Sequence, residues 1–304
     1  ELHLDPAASY QIKLRPKNFT PPTSGNIDVT NMTDVVAQIT IRAALEAGHT
    51  DLKLTGELSK IGIGGQWGTF ANNTQITTCD LTEVTGWGTT PTLPELAFKD
   101  CTKLQEVTLP DGVQVIGEYA FIRCAALTTV NLSQVTRIDE SAFRGCTSLK
   151  TLTLDNVAAI GLDAFYGCTG LETLKIPKCT RFGNYIVTGC KALTRIEAIA
   201  AGDFVHISDG SSIERTAVFH NRTAHSGDNV FNPAKCDLVL NADKQEGGGA
   251  VPTVSNSNGW TNAQYSGNPH EMEEHHLRAV VIRAFPEVEL QGGLIYFFEI
   301  QFYA

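Results

Sequence analysis

The sequence predicts a solenoid of parallel strands with coils of 22–23 residues, and three observations predict it. A short phrase recurs five times: Ala97-Phe98-Lys99-Asp100-Cys101, Ala120-Phe121-Ile122-Arg123-Cys124, Ala142-Phe143-Arg144-Gly145-Cys146, Ala164-Phe165-Tyr166-Gly167-Cys168, and a worn copy, Ile186-Val187-Thr188-Gly189-Cys190. Its cysteines stand 23, 22, 22 and 22 residues apart. After each cysteine, apolar residues fall at fixed offsets: Leu104/Val107/Leu109, Leu127/Val130/Leu132, Leu149/Leu152/Leu154, Leu171/Leu174/Ile176 and Leu193/Ile196/Ala198. A constant period in the range of roughly 20–29 residues marks leucine-rich repeats. The last two apolar positions of each set are two apart, the spacing of a strand with one buried face.

Taken in order, residues 1–32 read as an N-terminal extension or linker, broken by Pro16, Pro21, Pro22 and Gly25. Tyr10, Ile12 and Leu14 alternate as a short strand would, and the other reading of the extension is a strand docked on the first repeat. A helix is expected over 33–47, with Thr33 as N-cap, Gly48 just past its end, and Val35, Val36, Ile39, Ala43 and Ala47 on its apolar face. Its expected role is to cap the first coil, whose apolar cross-section would otherwise meet water. Leu52, Leu54, Ile61 and Phe70 form a loose first repeat. There Phe70-Ala71-Asn72-Asn73 aligns with Phe98-Lys99-Asp100-Cys101, and Ile76, Cys79 and Leu81 align with Leu104, Val107 and Leu109. That alignment leaves extra residues, which the composition of 85–91 suits to a loop.

Each regular coil has a second apolar segment: Val113/Ile116, Val135/Ile138, Val157/Ile160 and Cys179/Phe182. Gly117, Gly161 and Gly183 follow it, where a tight turn is expected. Phe98, Phe121, Phe143 and Phe165 are expected to stack as a ladder. The phase is lost after Ala200, and Phe231 with 236–240 reads as a last divergent coil with its strand. The end, 277–303, reads as a β-hairpin covering the open apolar edge. The expected division is therefore 1–32 extension, 33–200 solenoid with N-terminal cap, and 201–304 divergent closing repeat with a C-terminal β-hairpin cap.

Composition narrows the function. Hydrophobic residues are 42% of the chain, enough for a sizeable core. No apolar run reaches the roughly 18 residues that would span a membrane. The net charge of −10, with no basic stripe, argues against nucleic acid. The start at Glu1 lacks Met, a basic segment and an apolar core, so the expectation is a trimmed form whose export signal was removed. A lipid anchor upstream of residue 1 is one way such a chain would be tethered. Six of the eight cysteines have an address in the repeat, Cys179 included, so free buried thiols are expected rather than disulfides. The absence of any Cys-x-x-Cys pair argues against a metal centre. No cofactor is expected.

The unit Leu-x-x-Val-x-Leu … Val-x-x-Ile-Gly-x-x-Ala-Phe-x-x-Cys, best seen over 104–124, resembles the BspA-like leucine-rich-repeat family of bacterial surface and secreted proteins. The resemblance implies an exported binding scaffold with host or matrix proteins as partners.

The candidate binding residues are those flanking the buried pair on each strand. They form two outward columns, Glu106, Thr129, Thr151, Thr173, Arg195 and Thr108, Asn131, Thr153, Lys175, Glu197. Solenoids bind through such extended sheets, though threonine is also simply favoured on exposed strands. Trp67, Trp87 and Trp260 lie in polar loops and make a glycan ligand the alternative to a protein ligand. A structural surface protein whose repeats space a functional tail is the third reading. The cluster His270-Glu271-Met272-Glu273-Glu274-His275-His276 reads as a solvated acidic run, since position 274 breaks the His-x-x-x-His spacing of zinc proteases. His206, Asp209, Ser211 and Ser212 lie close in sequence without a nucleophile elbow around them. No catalytic residue and no metal ligand is assigned.

Overall fold

The computed structural model describes residues 19–65, 68–200, 202–212, 218–219 and 236–240. The Tyr10–Leu14 alternation, Trp67, Phe231, Trp260, the His270–His276 cluster and the terminal hairpin lie outside the described residues. The solenoid falls within one unit, Pro22–Ser257.

The described residues form a parallel-strand solenoid of leucine-rich repeats. One side of the coil is built from β1 (Asn26–Asp28), β2 (Asp51–Glu57), β3 (Thr78–Thr85), β5 (Glu106–Thr108) and β7 (Thr129–Val130), followed by β9 (Thr151–Thr153), β11 (Thr173–Lys175), β13 (Arg195–Ala198) and β15 (Asp237–Leu240). A second side is formed by β4 (Thr92–Leu93), β6 (Val115–Ile116), β8 (Arg137–Ile138), β10 (Ala159–Ile160), β12 (Arg181–Phe182) and β14 (Val205–His206), hydrogen-bonded in that order. Every pairing between these strands is parallel. The third side is the Ala-Phe-x-x-Cys turn. Its amides also bond from coil to coil, as in Phe98 N to Ala120 O at 2.7 Å and Phe121 N to Ala142 O at 2.8 Å.

The repeated phrase makes the core. Phe98, Phe121, Phe143 and Phe165 are fully buried and stack at centroid distances of 5.5, 5.1 and 5.8 Å, and Phe70 extends the ladder at 5.2 Å from Phe98. Each buried ring removes enough apolar area from water to contribute about 1.5–3 kcal/mol. All eight cysteines are free and buried. The repeat thiols have a shared task. Cys101 donates to Phe70 O, Cys124 to Phe98 O, Cys146 to Phe121 O, Cys168 to Phe143 O and Cys190 to Phe165 O, at 2.9–3.1 Å. Cysteine thus fills a small apolar position and also satisfies a carbonyl of the preceding coil.

Several local expectations are corrected. The helix α1 (Asp34–Glu46) has its Thr33 cap, whose Oγ1 accepts from Val36 N, and Gly48 follows at φ +92°. Its buried face, however, is Ala37, Thr40, Ile41, Ala43, Ala44 and Leu45, and Val35 is 61% exposed. Alanines and a threonine lie inward because the short helix α2 (Leu58–Ile61) packs close against α1. The extra residues of the first repeat do more than loop out. β3 runs on to Thr85 and pairs with β2 as far as Glu57, across a register shift between Lys53 and Thr55. Ahead of the helix, β1 pairs with β2, so the first sheet begins upstream of residue 33.

The glycine reading is also corrected. Gly117, Gly161 and Gly183 are absent from the positive-φ positions. A Cβ there would meet the backbone of the previous coil, 2.6 Å from Leu93 O, 2.6 Å from Glu140 N and 2.2 Å from Leu162 N respectively. Close approach of coils, not turn geometry, requires them. The left-handed positions lie elsewhere, at the residue before each Ala-Phe pair or its counterpart (Leu96, Tyr119, Ser141, Asp163, Tyr185) and at the residue before each cysteine or its counterpart (Asn72, Asp100, Arg123, Gly145, Gly167, Gly189). Nor is the phase fully lost after Ala200: β14 pairs with β12, and Phe204 and Phe219 pack on Phe182. The strand expected in the last coil is β15, in register with β13.

Candidate functional site: the outer face of the first sheet

The register of the first sheet builds the predicted columns. Glu106 lies beside Thr129, and Thr151 beside Thr173 and then Arg195. Thr153, Lys175 and Glu197 form the second row of the same strands. Strand alternation turns Val107, Leu152, Leu174 and Ile196 into the core and leaves the flanking residues outside. Glu106, Thr129, Asn131, Thr151, Thr153 and Arg195 are exposed, and Thr108, Thr173, Lys175 and Glu197 are half-buried. The columns extend further than the sequence columns did, through Thr78 and Asp51 in the first and Asp80, Lys53 and Asn26 in the second.

The face is electrically divided. Its early half carries Asp51, Asp80, Glu83 and Glu106, with Lys53 ion-paired to Glu83 at 2.7 Å. Asp51 Oδ1 accepts from the hydroxyls of Thr77 at 2.7 Å and Thr78 at 3.1 Å. A shallow open depression is lined by Thr78, Cys79, Asp80, Glu106 and Thr108. The later charges answer one another. Arg195 Nε donates to Glu197 Oε1 at 2.7 Å, and Lys175 Nζ is 3.6 Å from Glu197 Oε2. The Arg195 hydrogen bond foremost, then the Lys175 charge, hold the Glu197 carboxyl below its usual range. Between the two halves lie Thr129, Thr151, Thr153 and Thr173. Asn131 departs from its column: its amide turns back along the coil, accepting from Leu109 N at 2.7 Å and donating to Leu109 O at 2.8 Å.

The other candidates fare differently. The Trp87 indole N–H donates to Val84 O at 2.7 Å and its ring packs against the core, so Trp87 covers the end of β3. His206, Asp209, Ser211 and Ser212 form a tight turn. Asp209 Oδ1 accepts from Ser211 N at 2.9 Å, and that bond holds its carboxyl low. His206 N donates to Ser211 O, and Val205 bridges Ser212. This is turn chemistry and aligns no base with a nucleophile. The buried thiols are held neutral, burial pushing Cys101 and Cys168 up to about 12 and Cys124, Cys146 and Cys190 well above their usual value.

Sequence columns of apolar residues hid a set of cross-coil polar contacts at the turn edge. Arg123 grips Asp100 with two hydrogen bonds, one of them Nη2 to Oδ2 at 2.8 Å. Arg144 lies 4.4 Å over the Tyr166 ring and 3.2 Å from the buried Asp163 carboxylate. The Tyr119 hydroxyl donates to Glu140 at 2.6 Å. Burial, then the charges of Glu140, Asp139 and Glu95, raise the Glu118 carboxyl. Only the Asp100–Arg123 pair carries the repeat spacing, at 23 residues; Arg144–Asp163 and Tyr119–Glu140 are 19 and 21 apart, and an apolar column search skips all three. Among the described residues no group of three or more His, Cys, Asp or Glu side chains is arranged to hold a metal. Among them, too, no helix is long and apolar enough to cross a membrane.

A solenoid of parallel strands with a long outward face of stacked strands is the architecture of leucine-rich-repeat proteins, a class that works by presenting extended surfaces. Within it, residues 69–194 match the BspA type leucine rich repeat region in six copies, and the repeat region of this chain is of that type. Among solved structures the chain is similar to a leucine-rich repeat protein from Bacteroides ovatus, at 24% identity over 56% of this chain and 36% of that one, TM-score 0.38. It is similar to a leucine rich cell surface protein from Faecalibacterium prausnitzii, at 27% identity over 52% of this chain and 47% of that one, TM-score 0.34. A third is the leucine rich repeat protein of T. pallidum, at 20% identity over 63% of this chain and 70% of that one, TM-score 0.33. The chain spans less than half the length of the first two. No curated protein matches it. Repeats of this type fit a binding or scaffold role and are typically not enzymatic.

Proposed function

We propose that this chain is an exported, surface-displayed scaffold that binds another protein through the outer face of its first sheet and catalyses nothing. The observation that carries this reading is the register. Residues from seven strands, β2 to β13, form two outward rows that are in register within the blocks β2–β7 and β9–β13, and the central threonines carry no charge and have no ion pair to break. A face of that kind binds by shape and hydrogen bonding, with little side-chain entropy to lose because threonine has one χ angle that is already restricted. The acidic early half adds a preference for a partner whose rim is basic on that side. Export and surface display rest on the type of repeat.

The test is an array of host and matrix proteins and glycans, followed by the variant Thr151→Glu/Thr153→Glu/Thr173→Glu on whichever ligand binds. Placing three carboxylates at the centre of a docking face should lower affinity at least about 100-fold, since each desolvated, unpaired charge costs several kcal/mol. An unchanged affinity in a folded variant would move the site off this face.

A further inference from the structure

On two sides of the coil the main-chain hydrogen bonds run unbroken from repeat to repeat. On the second sheet Thr136 N donates to Gln114 O at 2.8 Å, Ala158 N to Thr136 O at 2.8 Å and Thr180 N to Ala158 O at 3.2 Å. On the turn side Phe98, Phe121, Phe143 and Phe165 donate in succession to Ala120, Ala142, Ala164 and Ile186. The first sheet lapses once. Thr128 and Thr129 N donate to Gln105 O at 2.9 and 3.1 Å, Glu172 and Thr173 N to Lys150 O at 2.8 and 3.2 Å, and Thr194 and Arg195 N to Glu172 O at 3.0 and 3.2 Å. The set that belongs between them, from Lys150 and Thr151 N to Thr128 O, is not made among the described residues, and β7 and β9 end separate sheets. The far end of the strands repeats the lapse. Leu154 N reaches Lys175 O and Ile176 N reaches Glu197 O, each at 2.8 Å, but Leu132 N has no such bond to Thr153 O.

Two sequence features adjoin the lapse, both at the step from β5 to β7 just before it. By the pattern of Leu154 and Ile176, the acceptor for Leu109 N should be the main-chain carbonyl of residue 131. The side-chain carbonyl of Asn131 has taken that place, and its amide nitrogen takes Leu109 O as well. The strand ladder accordingly stops at Val130. The preceding coil is also one residue longer at this corner: Leu109-Pro110-Asp111-Gly112-Val113, where the next three have Leu132-Ser133-Gln134-Val135, Leu154-Asp155-Asn156-Val157 and Ile176-Pro177-Lys178-Cys179. The first sheet therefore steps by 23 residues (Glu106 to Thr129) while the second steps by 22 (Val115 to Arg137).

Burial responds at the same place. Val130 is only half-buried, in a column where Val107, Leu174 and Ile196 are at 1%, 0% and 1%. Leu132 at 6% and Leu152 at 7% are the most exposed core leucines of neighbouring coils, against 0–1% for Leu109, Leu154 and Leu174. The gap thus shows in hydrogen bonding and in packing independently.

We infer that the solenoid has a built-in flexure point between β7 and β9, closed on two sides and open on the third, and that Asn131 holds it open. The flexure divides the outward columns. Glu106, Thr108, Thr129 and Asn131 ride on one block, and Thr151, Thr153, Thr173, Lys175, Arg195 and Glu197 on the other. A face hinged at its centre can adjust its curvature to a partner, which goes beyond the docking reading and does not depend on it.

Residue-resolved amide hydrogen exchange on the full chain tests it. Local opening is read by amides that lack a ladder partner. The Lys150 and Thr151 amides should be at least about tenfold less protected than Glu172, Thr173, Thr194 and Arg195, which hold the same positions in the next two coils. Asn131→Thr places in that position the residue found at Thr108 and Thr153, and should raise the protection of Lys150 and Thr151 to that of Glu172 and Thr173. Equal protection in the unaltered chain overturns the flexure. A folded Asn131→Thr chain whose Lys150 and Thr151 amides stay unprotected overturns the role of Asn131.

Discussion

Gly161 and Gly167 lie six residues apart in one coil and are both glycine for reasons that a stability measurement can separate. At Gly167, φ is +70° and a Cβ would meet nothing within 4 Å. Alanine there faces only the left-handed backbone penalty of about 1–2 kcal/mol. Part of it is offset by about 0.4–1 kcal/mol from the less flexible unfolded chain. The net loss should be about 0.5–1 kcal/mol. At Gly161 the Cβ would lie 2.6 Å from Glu140 N and 2.7 Å from the Asp139 carbonyl carbon. Neither backbone is free to retreat, because Gly161 N is bonded to Ile138 O at 2.8 Å and Tyr119 N to Glu140 O at 2.9 Å. Overpacking against fixed backbone costs about 1–3 kcal/mol, and the pinning on both sides places this case near the top of that range. Asp139 occupies the same column one coil earlier, so a Cβ is admissible where the coil spacing is set around it; an alanine at 161 arrives in spacing set for glycine. The assay is urea denaturation at equal m-value. With m near 3 kcal/mol/M, Gly161→Ala should lower the midpoint by about 0.7–1 M and Gly167→Ala by about 0.2–0.3 M. If Gly167→Ala costs as much as Gly161→Ala or more, coil contact is not what selects glycine in this column.

The thiol columns predict base lability. Burial raises seven of the cysteines, Cys79, Cys101, Cys124, Cys146, Cys168, Cys179 and Cys190, so they stay protonated when folded and lose a proton near 9 when unfolded. Their contribution is intact below about pH 9 and is lost as pH rises toward the folded values, at about 1.4 kcal/mol per pH unit for each thiol. Circular dichroism should show cooperative unfolding below pH 11; a chain still folded at pH 11 contradicts the assignment. Arg123→Gly should change stability by less than about 1 kcal/mol, because losing an exposed ion pair with Asp100 is offset by relief of φ +59°. A thermal melt shifted down by the equivalent of about 2 kcal/mol would show the pair to matter more than its exposure allows. Phe143→Ala removes a fully buried ring stacked on both sides and should cost about 3–5 kcal/mol in the same denaturation assay, with Phe121 and Phe165 left facing a cavity.

What could be read from the sequence was whatever the repeat multiplies. Cys101 through Cys190, the phenylalanine ladder and the paired apolar positions each occur four or five times, so one packing requirement is stated repeatedly. The structure places them where the columns placed them, down to Cys179 buried in an apolar slot. Errors fell where a requirement is stated once or is carried by something other than side-chain polarity. The buried face of α1 sets Ala37, Thr40, Ala43 and Ala44 beside Ile41 and Leu45, and the small residues suit close helix contact while carrying little apolar signal in the sequence. Gly117, Gly161 and Gly183 formed a column visible in the sequence, yet absence of a side chain serves both turns and close contacts, and only coordinates distinguish them. Of the cross-coil pairs, Arg123 with Asp100 follows the period at 23 residues, while Arg144 with Asp163 is 19 residues apart and reverses the order of the charges.

The outward columns belong between these cases. Their positions follow from strand alternation, so Thr151 and Thr173 had to be neighbours once the period was known. Their environment did not follow, because polarity in a sequence does not say which hydroxyls and charges are already engaged. Arg195, Lys175 and Glu197 satisfy one another, whereas the threonines between the charged ends keep the face neutral at its centre. Asn131 shows the limit most directly. By spacing it is one more outward residue in a row of Thr108, Thr153 and Lys175. By chemistry its amide holds a carbonyl acceptor and an N–H donor on separate atoms of one short planar group, which is what lets it stand in for a main-chain peptide at Leu109. A repeat tolerates such a substitution because the second sheet and the turn each hold adjacent coils together without it. Redundancy on two sides of the coil is therefore the physical condition that allows the third side to vary, and the varying side is the one that carries the outward columns.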